Sequence, residues 1–169
     1  MRGTVDYSRR GFLKARPQTT QRPPRLPWIR SESTFLDGCT QCGACIKACE
    51  TQIIVKGEGG FPQLDFSKGE CTFCHLCVQA CDVDMFTNRD QRPWDYRAFI
   101  ADTCLNHRDV LCQSCKEICE PRAIIFHYSE NRFPVPAITN ENCTARGACV
   151  SICPVSAISI NTETYEANT

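Results

Sequence analysis

The sequence predicts an α+β fold assembled from short repeats, and three observations predict it. Cysteine supplies 15 of the 169 residues, about 9%, a level that marks a scaffold held together through its thiols. Twelve of these cysteines fall into three complete four-cysteine runs, and the other three form a fourth run with one member missing. The runs recur every 32 to 39 residues, and a short apolar stretch follows each one. Ile53-Ile54-Val55 follows Cys49, Met85-Phe86 follows Cys81, Ala123-Ile124-Ile125-Phe126 follows Cys119, and Ala157-Ile158-Ser159-Ile160 follows Cys153. Each repeat therefore reads as loop, short helix, short strand. Gly57, Gly59 and Gly60 supply turn formers in the first link.

The first run is Cys39, Cys42, Cys45 and Cys49, and the second is Cys71, Cys74, Cys77 and Cys81. Both have the C-x2-C-x2-C-x3-C spacing whose thiolates hold [4Fe-4S] cubanes. The predicted fold class is thus α+β, with tandem bacterial-type ferredoxin repeats whose short helices and short two-stranded sheets surround [4Fe-4S] clusters. The first three cysteines of a run belong on a tight loop, where Gly43 and Ala44 let backbone amides approach sulfur and stabilise its negative charge. The fourth opens or rides a short helix, as in Val78-Gln79-Ala80-Cys81, and in paired-cluster ferredoxins it crosses to the neighbouring cluster. Zinc, the rival metal, uses two separated cysteine pairs more often than four cysteines packed into eleven residues. Two pairings of the repeats stay open. They can pair in order, or nest with the first against the fourth and the second against the third.

The third run, Cys104, Cys112, Cys115 and Cys119, keeps C-x2-C-x3-C but has seven residues, Leu105 to Leu111, in its first gap. A loop there can return Cys104 to a third cluster; the alternative is that some of these are buried free thiols. The fourth run holds Cys143, Cys149 and Cys153-Pro154, with Arg146 at the second position. Arginine donates but never accepts, so it cannot bind iron. The site can hold a [3Fe-4S] cluster, a labile cubane with a non-protein fourth ligand, or nothing. If a cluster sits there, Arg146 favours its reduced form and raises its potential. All fifteen cysteines are candidate cluster-binding residues, with iron as the metal.

Length suits one domain or two very small ones. The expected organisation is a basic, proline-rich flexible arm at 1–29, repeat one at 30–59, repeat two at 60–91, an atypical cluster-binding repeat at 92–133, and repeat four, short of one ligand, at 134–163. Formal net charge is zero before metal, and bound clusters make the chain acidic. Basic residues are not gathered beside aromatics, so no nucleic-acid partner is expected. No segment approaches the roughly 18 apolar residues of a membrane span. Free thiolates and an odd cysteine count argue against a secreted disulfide framework and for the cytoplasm. In the arm, Ser8-Arg9-Arg10-Gly11-Phe12-Leu13-Lys14 is similar to a twin-arginine export motif. Polar, basic Ala15 to Arg22 follows in place of an apolar region, which argues against export. The arm is then either without a special role or a docking peptide, with Phe12 and Leu13 as anchors and its arginines meeting an acidic partner.

Three histidines invite a metal reading. His75, between Cys74 and Cys77, is either a partly exposed loop residue or a cluster-tuning one, and Cys104 makes a ligand at His107 unnecessary; His127 stands apart from the runs. Trp28 and Trp94 are expected in packing or at an interface, with Arg92 to Tyr96 either at a seam between repeats or on an exposed patch. There is no glycine-rich nucleotide loop, no nucleophile with an adjacent base and no spare carboxylate pair, so an enzyme acting alone is not expected.

The whole chain resembles the NapF family, the ferredoxin-type accessory proteins of the periplasmic nitrate reductase system. The resemblance rests on the Ser8-Arg9-Arg10-Gly11 start, the run from Cys39 to Glu50, Gly59-Gly60-Phe61-Pro62, and Cys71-Thr-Phe-Cys-His-Leu-Cys77. It continues through Cys119-Glu-Pro-Arg-Ala-Ile124 and Cys153-Pro-Val-Ser-Ala-Ile158. It implies a cytoplasmic protein that acts on the molybdenum-containing catalytic subunit before export, assisting its maturation by electron transfer or cluster assembly. The family has cysteine where this chain has Arg146. The competing readings are a general soluble ferredoxin carrier and a non-redox binding chaperone with structural clusters.

Overall fold

A computed structural model describes residues 23–128 and 133–162. The twin-arginine-like string and most of the expected arm lie outside these residues, as do positions 129–132 and the end of the fourth repeat at 163. Ten short elements and a longer first helix follow one another as α1 (Glu32–Gly38), α2 (Ala44–Ala48), β1 (Ile54–Lys56), β2 (Pro62–Leu64), α3 (Leu76–Gln79), β3 (Tyr96–Ile100), α4 (Ser114–Ile118), β4 (Ile124–His127), β5 (Val135–Ile138), α5 (Ala148–Ser151) and β6 (Ile158–Thr162). Ser31 caps α1, its Oγ accepting from the Thr34 N–H at 3.1 Å, and Glu32 places a carboxylate in the first turn, where the helix dipole favours it. Phe35, on the inner face of α1, is fully buried and fixes that helix to the body.

Each half of the chain is one pair of repeats. In the first half, β1 and β2 form an antiparallel hairpin with Ile54 opposite Leu64. Gly59 and Gly60 make its turn at φ of 66° and 88°, a region open to glycine without a Cβ penalty. A single bridge, Ile29 to Phe86, closes the outside of that half. The second half repeats the plan with β4 and β5 as the inner hairpin and β3 paired to β6 outside, Tyr96 opposite Thr162 through Ile100 opposite Ile158. Helix α2 packs on α3, and α4 on α5. The strands therefore pair the repeats in order, first with second and third with fourth. The nested alternative that the sequence left open is not formed among the described residues.

The expected arm ends earlier than residue 29. Pro24 O accepts from Leu64 N–H at 2.8 Å, Arg25 pairs with Glu32 at 2.8 Å, and Leu26 and Trp28 are each only 3% exposed. Proline and arginine in this stretch suggested an arm, but two apolar side chains beside the prolines have a core to enter, and burying each contributes roughly 1.5–3 kcal/mol. The four positions 24, 25, 26 and 28 thus belong to the folded body.

The two halves share one core. Leu26, Ile53, Leu64, Phe66 and Cys77 from the first join Trp94, Ala98, Ala145, Ile158 and Ile160 from the second. Trp94, in the connection between halves, is at the seam: its ring lies 5.1 Å from Phe73 and 6.1 Å from Phe66, and its Nε1 donates to Thr144 O at 3.0 Å. Gly147 lets the halves close. Its φ is +100°, and a Cβ there would sit 2.1 Å from Phe66 Cδ1. Gly147→Ala is expected to destabilise the iron-loaded protein by about 2 kcal/mol or more, from left-handed strain and a ring displaced at the seam. Thermal unfolding of wild type and variant checks this.

Candidate functional site

Four cavities collect the cysteines, and each takes three from one run and one from its neighbour, save the fourth, where Arg146 stands in place of a thiol. The first is lined by Cys39, Cys42 and Cys45 with Cys81, among Leu26, Phe35, Val83, Met85 and Phe86. The second takes Cys71, Cys74 and Cys77 with Cys49. The third takes Cys104, Cys112 and Cys115 with Cys153, walled by Ile100, Leu105, Phe126 and Val155. The fourth has Cys143 and Cys149 with Cys119, and Arg146 at its edge. The electrostatics follow the same exchange. Cys45 feels Cys39, Cys81 and Cys42; Cys77 feels Cys71, Cys74, Cys45 and Cys49; Cys149 feels Cys143, Cys119 and Cys115.

The loops share a backbone signature. In runs one, two and four the residue two after the first cysteine is left-handed: Gln41 at φ 57°, Phe73 at 55° and Ala145 at 54°. The residue after the second position is left-handed as well: Gly43 at 76°, His75 at 66° and Gly147 at 100°. Alternating hand turns successive N–H groups toward one side, a concavity that binds anions. Run four keeps this cradle although its second position is Arg146. Run three lacks it. There a 3-10 turn over Leu105–Arg108 and a left-handed Asp109 carry the chain around the long gap. Asn106, 3% exposed, holds that gap shut: its Oδ1 accepts from Cys112 N–H at 2.9 Å and its Nδ2 donates to Pro134 O at 2.6 Å. Sequence reasoning passed over Asn106, though a lone amide inside a loop that must be bridged was its available signal.

Sulfur receives direct hydrogen bonds where chains cross. Ala123 N–H donates to Cys119 Sγ at 3.3 Å, and Ala157 N–H to Cys153 Sγ at 3.2 Å. Ala123 and Ala157 each stand four residues after the crossing cysteine, at the start of the apolar stretch that follows the run. Burial pushes the inner thiols up: Cys45, Cys71 and Cys115 to about 11, Cys77 and Cys149 to about 12, with neighbouring thiols adding to the rise for each. Cys42 is exposed and goes the other way, its thiolate favoured by the Ala44 N–H and the Thr40 hydroxyl.

His75 is half-buried. Its ring stacks on Trp28 with centroids 4.2 Å apart, and its Nε2 is buried without a hydrogen-bond partner. It also lines the second cavity. His107 Nδ1 lies 3.7 Å from Asp102 and is not among the residues lining the third cavity, and His127 is exposed at the end of β4.

The donor set fits thiolate-held iron–sulfur clusters. Thiols ring each cavity, backbone N–H groups reach sulfur, and the orphaned His75 Nε2 belongs to a residue lining a site where a buried acceptor would satisfy it. Among the described residues, no group of three or more His, Cys, Asp or Glu could hold a single metal ion. Clusters held here would supply one-electron chemistry. The residues around them hold the ligands, exclude water with apolar walls, and compensate charge through N–H donors.

Iron binding requires thiolate, so every raised thiol must lose a proton on loading. Loading of the iron-free chain is expected to quicken as pH rises from about 7 to about 9, because the thiolate fraction of a thiol titrating near 11 grows about tenfold per pH unit. Absorbance during anaerobic reconstitution checks it. In the same iron-free chain at neutral pH, iodoacetamide is expected to label Cys42 well before Cys45 or Cys77, as peptide mapping would read.

Comparison with known proteins agrees with this geometry. The 4Fe-4S dicluster domain family matches residues 38–85, and the 4Fe-4S binding domain family matches residues 140–156. Ferredoxin-type protein NapF of Escherichia coli (strain K12) is 43% identical over 154 residues, covering 91% of this chain and 94% of that protein. Ferredoxin-type protein NapF of Haemophilus influenzae (strain ATCC 51907 / DSM 11121 / KW20 / Rd) is 44% identical over 137 residues, 81% of this chain and 78% of that one. A more distant relative is the methylamine utilization ferredoxin-type protein MauM of Methylobacillus flagellatus, 26% identical over 88% of this chain and 71% of its own length. With the NapF identity running through nearly the whole length of both chains, and with the paired cysteine cavities to match, the protein belongs to the NapF family of ferredoxin-type proteins.

Proposed function

We propose that this protein is a cytoplasmic iron–sulfur accessory factor that binds the catalytic subunit of the periplasmic nitrate reductase before export and assists its maturation, by electron transfer or cluster assembly. The observation that carries the reading is the full-length likeness to ferredoxin-type NapF proteins, joined to cavities whose thiol sets suit clusters. In this reading Cys39, Cys42, Cys45 and Cys81 hold the first cluster, and Cys71, Cys74, Cys77 and Cys49 the second. Cys104, Cys112, Cys115 and Cys153 hold a third. Cys143, Cys149 and Cys119 hold a three-thiolate cluster at the fourth site, whose loop keeps the left-handed pair Ala145 and Gly147. Exposed Cys42 and Cys74 mark the corners where electrons enter and leave the first half.

A general electron carrier is the second reading, favoured by the same exposed corners. The two separate on residues 1–22. A general carrier tolerates their deletion, whereas a dedicated factor with a docking arm loses its partner. The deletion must stop before Pro24, because that residue and Leu26 are part of the body.

Tagged protein captured anaerobically from nitrate-respiring cells is expected to bring down the unexported catalytic subunit. Its absence, with clusters intact in the same sample, would overturn the maturation role. The crossed ligand sets have their own test. Cys81→Ser is expected to disturb the same electron paramagnetic signal as Cys42→Ser, and Cys49→Ser the same one as Cys74→Ser. Disturbance grouped by run instead would remove the crossing.

A further inference from the structure

Arg146 occupies the second position of its run, where the first two runs carry the exposed cysteines Cys42 and Cys74. Its own side chain is only 22% exposed. It lies against the second run, in the other half of the molecule. Arg146 Nε donates to Cys71 O at 3.1 Å, and Cys71 N–H donates to Arg146 O at 2.8 Å, so one residue is clamped to the other through side chain and backbone together. The guanidinium carbon stands 5.9 Å from the centre of the Phe73 ring. Two carboxylates complete the surroundings: Glu70, 3.5 Å away and next in sequence to Cys71, and Glu120, in direct contact and next to Cys119.

We propose that Arg146 sets the reduction potential of the second cluster, acting across the seam, with Glu70 as the opposing charge. This rests on the ligand sets proposed above. Reduction adds one negative charge to a cluster, and a fixed cation close by stabilises that state more than the oxidised one. A fixed carboxylate does the reverse. The pair is partly covered by the seam, so solvent and salt screen it less than a surface pair. Arginine stays protonated at any pH the fold survives, so its effect is constant rather than switched. Arg146 edges the fourth site by sequence and through its Nη1 bond to Glu120, but its Nε and its backbone carbonyl both engage Cys71 of the second. The residue is therefore a positioning and charge-compensating element for Cys71.

The test is an anaerobic potentiometric titration of the full-length iron-loaded protein, with dithionite as the one-electron reductant and electron paramagnetic resonance as the readout. The signal that changes in Cys74→Ser identifies the second cluster. Arg146→Gln is expected to shift the midpoint of that signal to more negative potential, and Glu70→Gln to shift it to more positive potential. Arg146→Lys, which keeps the charge but loses the Nε bond, is expected to fall between wild type and Arg146→Gln. A purely structural role would loosen the seam in both neutral variants and move them the same way. Shifts of one sign, shifts confined to the other signals, or no shift would overturn the proposal. If Cys74→Ser changes no signal and no iron content, the ligand assignment itself fails, and this inference falls with it.

Discussion

The rest of the structure depends on the exchange of one cysteine between neighbouring runs. Each run keeps its leading thiols for its own cavity and sends the last across the short helix to the next. Strand pairing alone could not hold this body together: among the described residues its sheets have two strands each, and such pairs are marginal in water. The crossing makes the two runs of a half obligate partners. It also explains why the amide four residues past the crossing cysteine, at Ala123 and Ala157, is spent on sulfur before the chain enters its strand.

The second constraint is the seam. Two copies of one supersecondary plan would ordinarily meet through a loose interface. Here the loop carrying Cys143 to Gly147 is pressed against Phe66, Cys71 and Phe73, and Trp94 fills the space between them. The absence of a side chain at Gly147 permits this approach, and the guanidinium of Arg146 satisfies polar backbone that the approach would otherwise bury. Two sites that sequence order keeps apart become neighbours through this contact.

Much of this was legible in the chain. The spacing of Cys39 to Cys49 and Cys71 to Cys81 specified the loops, the chemistry and the crossing, because thiolate geometry around a cluster leaves few alternatives. The pairing of repeats was not legible, since it is decided by which strands meet, and Ile29, Tyr96 and Ile158 carry no mark of their partners. The arm was drawn too long because prolines and arginines dominate residues 23–29 by number, while Leu26 and Trp28 decide their fate by burial. Arg146 could be read as a missing ligand and as a charge acting on the fourth site, not as a contact of the second. Its engagement with Cys71 is a tertiary contact across 75 residues, beyond any local pattern.

Trp28 gives the molecule a mechanical property. Its N–H bonds Pro93 O and its Nε1 bonds Gln91 O, while its carbonyl takes the N–H and hydroxyl of Thr87, all between 2.7 and 3.3 Å. Its ring lies on His75. A load applied to the chain ahead of residue 23 enters the body near this rivet. It is delivered first to β2 of the first hairpin, where Pro24 O accepts from Leu64 N–H, and then to the strap joining the two halves and the lip of the second cavity. The β4–β5 hairpin and the third cavity stand behind that strap, so tension on this end reaches the first hairpin and the second site before the far half.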